Sequence, residues 1–94
     1  MIRNMISVGQ EGKSSREVGN YTMAVAVRLA GVEAHRLRRY EESGLITPER
    51  TRGKQRLFSD NDIERIKEIA RLEDEGINME GIKAILAMRR GERK

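Results

Sequence analysis

From Thr22 to Phe58 the chain is punctuated so closely that few folds remain open to it. A Val- and Ala-rich stretch stops at Ala30-Gly31-Val32, and a second stretch closes at Gly44. Gly44-Leu45-Ile46-Thr47-Pro48 then leads into Arg50-Thr51-Arg52-Gly53-Lys54-Gln55-Arg56-Leu57-Phe58. Gly31 supplies the left-handed conformation of a tight turn, so two short helices are predicted in place of one long one. Pro48 blocks helix continuation and sets an extended path, and Gly53-Lys54 makes a turn between two short strands. The outcome is a helix-turn-helix followed by a basic ribbon. In such a shape one helix fits the major groove of duplex DNA while the ribbon lies on the neighbouring backbone.

The first helix is predicted from about Met23 to Ala30 with Thr22 as N-cap, its inward stripe being Val25, Ala26 and Leu29. The second covers about Glu33 to Ser43. On a wheel of about 100° per residue, Ala34, Leu37 and Glu41 share one side, His35, Arg36 and Arg39 lie opposite, and Arg38 and Tyr40 sit on the flanks. Ser59-Asp60-Asn61-Asp62 is a capping sequence that opens a third helix. Ile63, Ile66, Ile69, Ala70 and Leu72 carry that helix to about Glu75, where Gly76 stops it. Asn78 caps a fourth, striped by Met79, Ile82, Ile85 and Leu86. The fold class is therefore mainly α, a winged helix-turn-helix of about four helices with a short β-hairpin. Residues 1–20, with Gly9, Gly12 and Gly19 and no sustained period, read as a flexible arm before a single domain over 21–94.

A chain of 94 residues with three aromatics has room for one thin aliphatic core. Its formal charge of +4 is a weak pointer to nucleic acid, but the charges are sorted along the chain. Residues 28–56 hold eight basic side chains against four acidic, and residues 57–82 hold three against eight. One end of the domain is expected to attract phosphates. Zero cysteines exclude disulfides and thiolate chemistry, and the single histidine, His35, argues against a metal site. No apolar run approaches the roughly 20 residues that span a bilayer, so cytoplasmic, nucleoid-associated residence is expected. With no nucleophile paired to a base and no phosphate-cradling glycine loop, the chain does not read as an enzyme, and no cofactor is expected.

Quoted in order, Tyr21-Thr22-Met23, Leu29-Ala30-Gly31-Val32, Leu37-Arg38-Arg39-Tyr40-Glu41, Gly44-Leu45-Ile46-Thr47-Pro48-Glu49-Arg50 and Arg56-Leu57-Phe58-Ser59 together resemble the DNA-binding domain of the MerR family of bacterial transcription regulators. Asp62-Ile63, Gly76-Ile77-Asn78-Met79 and Gly81-Ile82-Lys83 complete the pattern. Within that family, Asp74 to Lys83 looks most like the heat-shock repressor branch, with the glutamine-responsive nitrogen regulators second. The resemblance implies a repressor of stress and chaperone genes that binds an inverted repeat as a homodimer, with an Hsp70-type chaperone as co-repressor. It also makes Arg38 and Tyr40 phosphate contacts, places the wing arginine at Arg56, and turns His35, Arg36 and Arg39 toward base edges or nearby phosphates. Arg52 and Lys54 in the wing are read as further phosphate contacts.

The chain departs from the family pattern in places. Many members have two aromatics where Arg39 and Tyr40 stand, which frees Arg39 for a phosphate or base. Most continue into a long coiled-coil helix, whereas this sequence ends six residues past Met88. Pairing is accordingly expected at least on DNA, and a small-molecule effector is not expected. Two other functions fit the same residues. One is an architectural or recombination-accessory protein that coats DNA with little selectivity. The other is a protein-interaction adaptor working through the acidic, apolar-striped third and fourth helices.

Overall fold

Local capping decides where each helix begins and ends. In the computed structural model, which describes residues 14–89, α1 spans Met23–Ala30, α2 spans Ala34–Glu42, α3 spans Asp60–Asp74 and α4 spans Met79–Arg89. Thr22 Oγ1 accepts the Val25 N–H at 3.4 Å, satisfying one of the orphan donors at the start of α1. Gly31 ends α1 at φ 70°, a conformation in which any side chain would be strained. Only Gly31, Val32 and Glu33 then separate α1 from α2. Val32 is buried in this turn, which anchors the angle between the two helices. At the end of α2, the Leu45 N–H reaches back to the Tyr40 carbonyl at 3.0 Å and Gly44 takes a positive φ. Ser59 and Asp62 form a reciprocal capping box at the start of α3. Asn78 Oδ1 accepts the Gly81 N–H at 2.9 Å in the first turn of α4.

Helix α3 is the central element, packed against α1 and α4. It contributes Ile63, Ile66, Ile69, Ala70 and Leu72 to one continuous core, which Ala26, Leu37, Tyr40, Leu45, Ile46, Phe58, Ile82 and Leu86 complete. Val25 and Leu29, expected inward on α1, are half-buried and exposed respectively; Ala26 is the fully buried residue of that helix. An eight-residue helix can bury only a narrow stripe, and Ala26 lies at its centre.

The wing is a two-stranded antiparallel sheet, with β1 at Glu49–Arg50 and β2 at Arg56–Leu57, pairing Glu49 with Leu57 and Arg50 with Arg56. Its tip closes through Lys54 N–H to Thr51 O at 2.8 Å and Thr51 N–H to Gln55 O at 2.8 Å. Within the Gly53-Lys54 turn it is Lys54, at φ 71°, that adopts the left-handed conformation. Phe58 extends the ribbon sideways by exchanging backbone bonds with Tyr21, at 2.7 and 2.9 Å. The Tyr21 hydroxyl donates to Asp60 at 2.6 Å, which fixes the entry of the chain beside the start of α3. That bond, with burial and the Asp60 charge adding to it, raises the phenol's pKa.

Residues 14–20, read from the sequence as part of the arm, take a defined course in the structure. Ser15–Glu17 form a 3₁₀ turn that packs on α3, and Arg16 Nε donates to Asn61 at 3.1 Å. Residues 1–13 and 90–94 lie outside the described residues. Gly19 passes so close to the wing that a Cβ there would fall 2.8 Å from the Leu57 carbonyl oxygen. Gly19→Ala is expected to destabilise the domain by about 1–2 kcal/mol, because the obstacle is backbone and cannot swing away. Thermal unfolding of the variant beside Gly53→Ala, whose site has nothing closer than 3.9 Å, checks this.

Candidate nucleic-acid interface

Burial of Tyr40 decides which way α2 faces. The phenol is the largest fully buried side chain in the domain, and Leu37, one turn earlier, is buried with it. The inward face is thus centred on Leu37 and Tyr40, so the wheel's assignment of Tyr40 to a flank and of Arg36 to the outside is corrected. A large aromatic carries far more apolar area into the core than Ala34 can, and it rotates the helix accordingly. Arg36, four residues before Tyr40, is drawn with it against the end of α3.

There a single carboxylate gathers three groups from α2. Glu73 accepts Arg36 Nη2 at 2.8 Å, Arg39 Nη1 at 2.6 Å and the Tyr40 hydroxyl at 2.8 Å. Arg36 also donates to Asp74 at 3.0 Å. The bond from Arg39 pulls the Glu73 carboxyl down to about 2, burial opposing it and Arg36 and Tyr40 adding to it. Burial, and then the bond to Glu73, pushes the Tyr40 phenol up to about 12. Both arginines are held more firmly in their charged form by the same carboxylate. The segregation of charge along the sequence is therefore only partly kept in space, because α3 turns acids back onto α2. Tyr40→Phe should cost about 1 kcal/mol in unfolding free energy, since it removes one charge-assisted bond and leaves the ring packed; urea denaturation measures it.

With Leu37 and Tyr40 inward, the outward ridge of α2 is His35, Arg38 and Glu42, spaced by three and four residues. The His35 side chain is 67% exposed and its Nδ1 lies 3.4 Å from Glu33. Arg38 is exposed and forms no ion pair among the described residues. Arg39 is at the margin, 44% exposed while bonded to Glu73. At the wing tip Arg52 and Lys54 are exposed, also without an ion pair among the described residues.

Arg56 lies lower on the wing and donates from Nε to Glu41 Oε1 at 2.5 Å. The other oxygen of Glu41 accepts Arg50 Nη2 at 2.7 Å, and Arg50 Nη1 donates to the Lys54 carbonyl at 2.9 Å. Burial acts to raise the Glu41 carboxyl, but the two arginine bonds outweigh it and hold the group below the usual carboxylate range. One acid of α2 thus grips both strands of the wing.

The eight predicted residues therefore divide. His35, Arg38, Arg52 and Lys54 stand on exposed surface of α2 and the wing, Arg36, Arg39 and Arg56 are engaged by carboxylates, and Tyr40 is in the core with its hydroxyl occupied. Sequence reasoning passed over Arg50, Glu41 and Glu73. Glu41 carried a signal, as an acid within a run of cations. Glu73 carried none, because its partners are more than thirty residues away.

No helix among the described residues is long and apolar enough to cross a membrane, and no group of metal-ligating side chains occurs among them. The HTH-type transcriptional regulator GlnR of Bacillus anthracis is 40% identical over 72 residues, covering 77% of this chain and 56% of that protein. HspR of Streptomyces coelicolor, named for heat shock, is 42% identical over 69 residues, covering 72% and 46%. The chain spans about half the length of these relatives. The crystal structure of HiNmlR, a MerR family regulator lacking the sensor domain, bound to promoter DNA, superposes with a TM-score of 0.65 at 30% identity, covering 69% of this chain and 50% of that one. The model of the MerR HTH family of regulatory proteins matches residues 21–89, from the Tyr21 bridge to the last described turn of α4, and the chain belongs to that family.

Proposed function

We propose that this chain is a sequence-specific DNA-binding regulator of transcription, acting as a repressor that occupies an inverted repeat as a symmetric pair. The observation that carries the reading is the pairing of an exposed ridge on α2, His35 and Arg38, with an exposed cationic wing tip, Arg52 and Lys54, on one tied frame. Helix α2 enters the major groove while the wing tip neutralises phosphates beside it, the arrangement by which helix-turn-helix proteins read DNA. Similarity to a family member bound to promoter DNA supports the same docking.

Likeness to HspR, a relative named for heat shock, favours control of stress genes. Repression of chaperone genes with an Hsp70-type co-repressor in the cytoplasm is the finer form of the same proposal, drawn from the family resemblance of Asp74 to Lys83. Nitrogen control is the second reading, drawn from the resemblance of Asp74 to Lys83 to the glutamine-responsive regulators and compatible with the likeness to GlnR over a slightly longer stretch. Selection of duplexes from a randomised pool, followed by gel shift on the enriched duplex and on random DNA, tests the core of the proposal. An enriched inverted repeat bound at least about 10³-fold more tightly than random duplex is expected, the lower end of typical specificity ratios. Equal binding to both would replace this reading with that of a low-selectivity architectural protein.

A further inference from the structure

Glu41 is an unusual residue to find beside a surface meant for phosphates. It lies on α2, its side chain is 19% exposed, and it faces the strands of the wing. A carboxylate there opposes DNA approach through its charge, and Glu41, unlike the exposed Glu42 beside it, is turned onto the wing. Its two oxygens divide between Arg50 on β1 and Arg56 on β2, at 2.7 and 2.5 Å. Arg50 is held at its other amino group by the Lys54 carbonyl, which ties the same linkage to the hairpin tip. Arg56 uses only Nε, so its two terminal amino groups form no hydrogen bond among the described residues.

We infer that Glu41 is a positioning residue for sequence recognition, locking the wing to α2 so that both meet DNA in one fixed register. The inference rests on the proposed function and deepens it. The wing is only two residues per strand, too short to hold its own orientation by ladder bonds alone. Without Glu41 the base of the hairpin keeps its backbone bonds to Tyr21, but its link to α2 is lost, so its cations can settle on phosphates of more sequences while the net charge of the surface rises by one. Specific binding falls because it needs a preorganised pair of elements. Random binding holds or grows, because it depends on charge alone. Glu41 thus acts on the ratio of the two affinities, whereas a purely structural role would lower both together through the unfolded fraction.

The test uses the full chain, the duplex that the wild type enriches from a randomised pool, and a random duplex of equal length. Glu41→Gln keeps the size of the side chain and removes its charge. The specific-to-random ratio is expected to fall at least about fivefold, with random-duplex affinity unchanged or higher. A ratio equal to wild type overturns the inference while leaving the proposed function standing. A wild type that enriches nothing overturns both. If Glu41→Gln does not fold, Glu41→Asp takes its place, keeping the charge but shortening the reach; its ratio is expected to fall at least about twofold, and an unchanged ratio again overturns the inference.

Discussion

Replacing Glu73 by alanine is expected to lower the unfolding free energy by about 2–3 kcal/mol, which for a domain of this size shifts the melting temperature by about 10–20 °C. The substitution leaves Arg36, Arg39 and the buried Tyr40 hydroxyl without their shared acceptor. Losing one partner of a shielded network costs more than losing an exposed ion pair, because the Tyr40 hydroxyl and the Arg36 guanidinium stay largely shielded, while the more exposed Arg39 can turn to water. Exposure of a quarter of the Glu73 side chain keeps the effect below that of a fully buried charge. The same residue gives the domain an acid limit. Its folded pKa of about 2 lies below the ordinary 4.5, so its contribution is complete above pH about 4.5 and drains away as the pH falls toward 2. Circular dichroism melts from pH 7 to pH 2.5 should show wild-type stability dropping across that window and Glu73→Gln following a flatter course. A melting temperature for Glu73→Ala within 2 °C of wild type would show that the network carries little.

The second large effect concerns binding. Replacing Arg38, Arg52 and Lys54 together by alanine removes the three exposed cations on α2 and the wing tip that form no ion pair among the described residues. If each neutralises one phosphate, the slope of log K against log salt should flatten by about 2–3, and affinity at 0.1 M salt should fall about 10²- to 10³-fold on any duplex. None of the three is buried, so the melting temperature should stay close to wild type. Fluorescence anisotropy across a salt series gives both numbers. Arg36→Ala is the contrast: its side chain serves Glu73 and Asp74, so its first consequence is lost stability. An unchanged salt slope for the triple variant would move the interface elsewhere on the domain.

These contrasts mark what the sequence could reveal. Helix limits were legible because they are set locally. Thr22, Ser59 and Asn78 cap within their own first turns, and Gly31, Gly44 and Gly76 stop their helices with a positive φ. The orientation of α2 was less so. A helical wheel weighs residues by type, but here the depth available to one phenol against α3 fixed the rotation, and Arg36 followed it. The commitments of Arg36 and Arg39 to Glu73 depend on a side chain brought near by folding, which no periodicity encodes. The course of residues 14–20 was missed for a related reason. Their order comes from a bond to Asn61 and from Gly19 sliding past Leu57, both distant in sequence.

The tip of the wing shows a local preference overruled. A backbone twisted to φ 71° at Lys54 is one that glycine adopts freely and lysine adopts at a penalty of about 1 kcal/mol. A glycine already sits next door at 53, yet the awkward position keeps its ammonium. A Lys54→Gly chain would rest more easily and grasp less. Under the proposed function the loop gives up comfort for reach, so the most stable version of this domain and the version that holds DNA best are expected to be different sequences.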